Sequence, residues 1–119
     1  MRMMPHVKAL FIELPPLERL RASYLDDESF SRLQAMLMNA PESGDVIEGS
    51  GGLRKVRFGD ASRGKGKRSG LRVIYNWWQE GAQFWLFTLY GKGEVSDLTP
   101  DQCKTLRAML KAELKERKP

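Results

Sequence analysis

The stretch Gly49 to Trp78, GSGGLRKVRFGDASRGKGKRSGLRVIYNWW, sets two strand-like runs on either side of a basic, glycine-rich loop. In the first run, Leu53 to Phe58, Val56 and Phe58 point one way while Lys55 and Arg57 point the other, because side chains alternate across a strand. The second, Leu71 to Trp78, alternates in the same manner, with Arg72 in register with Ile74 and Asn76. Gly59 to Gly70 is the loop between them. Eight cations and one acid fall inside this stretch, against 12 basic and 14 acidic residues elsewhere, so the formal charge of +5 originates here alone. Charge of one sign concentrated where strand periodicity also runs is the footprint of a phosphate-binding surface. A plain solvated loop rich in Lys and Gly would carry the same charge.

Working outward, Glu80-Gly81 marks a tight turn, and Gln83 to Gly91, QFWLFTLYG, is apolar on both faces, as an interior strand requires. Thr99-Pro100-Asp101-Gln102 is a capping box with proline at the first helical position. Cys103, Leu106, Leu110 and Leu114 give the helix that follows its apolar stripe, and the KAELKERKP tail reads as a fraying end. On the N-terminal side, His6 to Leu14 reads as a strand stopped by Pro15-Pro16. Leu17, Leu20, Tyr24 and Leu25 then recur at helical spacing, as do Phe30, Leu33 and Leu37 after Asp26-Asp27, a natural cap. Asp45 to Gly52 is expected to be a turn or bulge. The order predicts an α+β fold in one domain, 1-119: a small antiparallel sheet of about four strands, an N-terminal helical hairpin on one face and a C-terminal helix, with the helices largely on that one face.

Composition excludes several chemistries. The chain has 119 residues, 41% hydrophobic and 29% charged, and no apolar run near the roughly 20 residues of a membrane span. The N-terminus lacks a small-residue cleavage site, so a cytoplasmic location is expected. One cysteine, Cys103, rules out an intrachain disulfide, and no His/Asp/Glu cluster stands at metal spacing, so neither metal nor small-molecule cofactor is expected. The single histidine, His6, reads as an ordinary strand residue. Acid and base would have to come from Lys, Arg, Tyr or a carboxylate.

Register brings the cations together. A two-residue turn at Glu80-Gly81 sets Arg72 opposite about Leu89 and Lys92 opposite about Ser69. Antiparallel pairing of the two runs places Arg57 near Arg72. Lys55, Arg57, Arg72 and Lys92 then converge beside the loop cations Lys65, Lys67 and Arg68, with Tyr90 alongside. Like charges so close call for an anion, and arginine can grip two oxygens of a phosphodiester at once. A nearby ring such as Tyr90 could stack a splayed base.

Three segments, GDVIEGSGGLRKVRF, GKGKRSGLRVIY and LYGKGEVSDLT, together resemble the HigB branch of the RelE/ParE toxin superfamily over nearly the whole chain. That resemblance implies the toxin of a type II toxin-antitoxin pair with a RelE-like fold. It implies a ribosome-dependent, metal-independent endoribonuclease that cuts mRNA, held in check by a cognate, HigA-like, DNA-binding antitoxin. Lys55, Arg57 and Arg72 match basic positions of the RelE pattern. Gly93 stands where RelE carries a further arginine and Thr99 where it carries a tyrosine, leaving Lys55, Lys92 and Tyr90 as candidates for proton transfer. Arg54, Lys65, Lys67 and Arg68 are expected to touch RNA. A ParE-like gyrase poison and a non-enzymatic RNA-binding module are the alternatives.

Overall fold

The computed structural model of the chain describes residues 9–59, 70–91 and 98–116. Pro15 and Pro16 open helix α1 (Pro15–Tyr24), where first-turn N–H groups would lack intrahelical partners in any case. Asp26 caps α2 (Asp27–Asn39) by accepting from the Ser29 amide at 2.8 Å. Arg21 ties the pair to strand β1 (Leu10–Glu13): its Nε donates to Glu13 at 2.8 Å, and its guanidinium lies 4.3 Å from the centre of the Phe30 ring. The capping box at Thr99 forms in both directions, the Gln102 amide donating to Thr99 Oγ1 at 3.1 Å and the Thr99 amide to Gln102 Oε1 at 2.8 Å. It opens helix α3 (Pro100–Glu116).

The sheet runs in the order β1-β5-β4-β3-β2. Strands β3 (Arg54–Phe58), β4 (Leu71–Trp78) and β5 (Gln83–Gly91) pair antiparallel, with the limits that the sequence pattern predicts to within a residue. The β4–β5 hairpin closes on a turn in which the Ala82 amide donates to Gln79 O at 3.1 Å. Gly81 is required there, since a Cβ would run into the Trp78 indole.

Three features depart from expectation. The sheet has five strands, because Asp45–Val46, expected as a turn or bulge, adds a two-residue edge strand β2 on β3. It is mixed, because β1 lies parallel on the outer edge of β5, pairing Leu10 to Glu13 with Gln83 to Leu86. Short connections enforce antiparallel neighbours, but β1 reaches β5 across most of the chain, a separation that permits a parallel partner. Third, the helices do not share one face. Leu17, Leu33 and Leu37 of the hairpin bury Val73, Tyr75, Phe84 and Leu86, whereas Leu106 and Leu110 of α3 bury Leu53, Ile74, Phe87 and Tyr90 on the other side. A strand apolar on both faces needs cover on both. The segment KAELKE is helical to Glu116, not frayed, because Leu110 anchors the preceding turn; residues 117–119 and His6 lie outside the described residues.

Candidate anion-binding site

Cα register fixes the site. Arg57 on β3 pairs with Arg72 on β4, and Arg72 pairs in turn with Tyr90 on β5, forming a row across three strands on one face. Lys55, two residues before Arg57, shares that face and pairs with Asp45 of β2. This is the α3 face, where the cations lie around a cleft of about 450 Å³ lined by Ser43, Asp45, Lys55, Val56, Arg57 and Arg72. Arg57 is exposed and Arg72 half-buried. Among the described residues, Arg72 Nη1 is buried with no hydrogen-bond acceptor. A desolvated guanidinium nitrogen without an acceptor is costly, and an anionic oxygen arriving in the cleft would relieve that cost.

A bulge decides which side chain stands next to Arg72. From Trp78 to Tyr75 the hairpin keeps the register of its turn, Trp78 opposite Gln83 and Tyr75 opposite Leu86. Between Ile74 and Tyr75 it slips by one, so that Ile74 faces Thr88 and Phe87 is the extra residue. Arg72 therefore faces Tyr90 instead of Leu89. Such a bulge re-aims every side chain beyond it.

The wall opposite β4 is held from the other face of the sheet. Tyr75, fully buried, donates its hydroxyl to Pro41 O at 2.8 Å and accepts from the Gly44 amide at 3.1 Å. Burial pushes its pKa above the ordinary tyrosine value, against the lowering effect of the Gly44 contact. A Cβ at Gly44 would come within 2.9 Å of the Tyr75 ring, so only glycine allows this approach. Arg54 works from the same side: its Nη1 donates to Gly44 O at 2.8 Å and to Glu42 O at 3.2 Å. Together they pin the segment that carries Ser43 and Asp45 into the cleft.

No family model matches the chain. Among solved structures, a double arginine-to-alanine mutant of the E. coli toxin RelE in the free state superposes with a TM-score of 0.51 at 16% identity. That alignment covers 85% of this chain and 95% of RelE. The fold is RelE-like. The archaeal RelE–RelB complex from Pyrococcus horikoshii also aligns, at 23% identity and a TM-score of 0.46, over 73% of this chain and 98% of that one.

On this RelE-like scaffold the expected site residues divide. Lys55, Arg57 and Arg72 come together at the cleft. Arg54 does not: its register partner is Tyr75, and it serves the opposite face. Tyr90 is beside Arg72 in register, yet it is only 8% exposed and belongs to the cluster under α3, which leaves little ring for a base to stack on. Lys92, Lys65, Lys67 and Arg68 lie outside the described residues. Ser43 and Asp45 were missed by sequence reading. Their only signal is proximity to a turn, and what brings them to the cleft is the two-residue pairing of β2. Among the described residues, no three His, Cys, Asp or Glu side chains are placed to hold a metal ion, and no helix is long and apolar enough to cross a membrane.

Proposed function

We propose that this RelE-like protein is the toxin of a type II toxin-antitoxin pair, of the HigB-like branch, and that it cuts mRNA on the ribosome. The observation that carries the reading is the convergence of Lys55, Arg57 and Arg72 on one cleft, with a buried guanidinium nitrogen of Arg72 lacking an acceptor among the described residues. A phosphodiester supplies the missing acceptor and matches the charge. In the reaction, the ribose 2′-oxygen attacks the adjacent phosphorus while its proton passes to a basic side chain. The bond from phosphorus to the 5′-oxygen breaks, and that oxygen takes a proton as it leaves. The products are a 2′,3′-cyclic phosphate and a free 5′-hydroxyl. Arg57 and Arg72 stabilise the charge that builds on the phosphoryl oxygens, where one positioned donor contributes about 3 kcal/mol. Lys55 and Lys92 are the candidate proton carriers, with Tyr90 third. The ribosome aligns the strand, so slow cleavage of free RNA is expected. A HigA-like, DNA-binding antitoxin is the partner that the motif resemblance implies.

The test is to induce the gene in bacteria with and without its neighbouring open reading frame, and to map mRNA ends. Growth arrest with in-frame cuts ending in cyclic phosphate, reversed by the neighbour, is the expected result. Arrest with intact mRNA and trapped gyrase would assign the protein to the ParE-like alternative instead. A 2′-deoxy substitution at the cut position must block cleavage; cutting at the normal rate rejects the chemistry.

A further inference from the structure

Helix α3 carries a feature that the cleft does not use. Lys104, Arg107, Lys111 and Lys115 follow one another at intervals of three, four and four residues, and all four are exposed. At about 100° and 1.5 Å per residue they form one stripe roughly 16 Å long. None of them has a carboxylate within ion-pairing distance among the described residues. Helix α2 offers the contrast, pairing its Arg32 with Glu28 one turn away at 3.3 Å. Like charges one turn apart weaken a helix, so an unrelieved row of them calls for an outside polyanion.

The placement of the stripe narrows the choice. Asp101, Gln102, Thr105 and Met109 turn toward α1, where with Leu20 and Tyr24 they line a groove. The stripe lies on the opposite flank of α3. It therefore looks away from α1, toward the β3 side of the sheet, and Leu110 packs beside Gly51 and Gly52 just ahead of β3. Lys55, Arg57 and Arg72 project from the same face of the sheet that α3 covers. Cleft and stripe thus form two parts of one cationic side.

We infer that this flank of α3 is a second RNA contact, one that grips the phosphate backbone of a structured RNA while the cleft holds the scissile strand. The inference rests on the ribonuclease reading in taking the polyanion to be RNA. The contact reads charge, not bases, since a row of cations on a helix meets phosphates without reaching base edges.

The experiment uses the full chain carrying Arg72→Ala, so that the probe survives, and a short RNA duplex of arbitrary sequence followed by fluorescence anisotropy. Neutralising the stripe, as K104Q/R107Q/K111Q/K115Q, should weaken duplex binding at least about tenfold and reduce the slope of log affinity against log salt by roughly 3. Thermal stability should not fall, because the substitutions remove repulsion. Exchanging the three lysines for arginine should keep affinity and slope. Unchanged affinity and slope in the neutralised variant overturn the inference, as does a loss confined to a polyglutamate probe, which would make the stripe a dock for an acidic protein segment. The two readings fail separately. Absence of cleavage with an intact stripe effect removes the ribonuclease and leaves the RNA contact, whereas normal cleavage with no stripe effect removes the contact alone.

Discussion

The two faces of the sheet are built to different ends. Under the α1–α2 hairpin the face is closed: Phe84 is fully buried, stacks on Phe11 at 4.8 Å and meets Trp77 at 4.5 Å, and Tyr75 fixes the neighbouring connection through two hydrogen bonds. Under α3 the face is closed over only part of its area. Leu106 and Leu110 cover Leu53, Ile74 and Phe87, and beyond them the same strands present Lys55, Arg57 and Arg72 to an open cleft. One face supplies most of the packing, which frees the other to hold like charges that no packed core would accept. Alternation of side chains makes this division possible within a single strand: on β3, Val56 and Phe58 serve the core while Lys55 and Arg57 serve the cleft.

The contrast can be broken from either side. Phe84→Ala strikes the closed face at its centre and should lower unfolding free energy by about 3–5 kcal/mol in urea titration. Arg72→Ala strikes the open face. Cleavage should slow roughly 100- to 1000-fold, equivalent to about 3–4 kcal/mol of barrier, while the urea midpoint stays near that of the parent. Comparable losses of stability from both substitutions would erase the distinction between the faces.

Smaller effects sharpen it. Tyr75→Phe removes the hydroxyl that holds Pro41 and Gly44, and should cost about 1–2 kcal/mol. It should also change the alkaline limb. Because burial raises the Tyr75 pKa, its contribution is complete below about 10, the value in the unfolded chain, and is lost as pH climbs through the folded value. The phenylalanine variant should lack that component of alkaline destabilisation, which a stability profile against pH would reveal. Thr99→Ala breaks the capping box of α3 and should cost about 1 kcal/mol by thermal melting, the least of the four.

Much of this was legible from local pattern. The limits of β4 and β5, the cap at Asp26, the capping box at Thr99 and the opposite orientations of Val56 and Arg57 each depend on a few neighbouring residues, and each formed as read. The meeting of Arg57 with Arg72 was also accessible, because the two lie on either side of one loop, and antiparallel pairing of consecutive strands with strict alternation sets loop-flanking residues side by side. Arg54 shows where such reading stops. It sits beside Lys55 in a basic run; alternation sets it on the face of Val56, but only the path of residues 42–44 brings the Glu42 and Gly44 carbonyls within its reach.

By itself the amino-acid sequence determined which segments become the three helices and the strands β3, β4 and β5, where these begin to within a residue, and that positive charge gathers at one end of β3 and β4. These depend on interactions between residues close along the chain. Tertiary structure decided the rest: that β1 runs parallel on β5, that α3 covers the face opposite the hairpin, and that the slip at Phe87 sets Tyr90 instead of Leu89 beside Arg72. The reason is the character of QFWLFTLYG. A strand apolar on both faces carries no alternation to mark its register, so a one-residue shift is invisible until its neighbours select it.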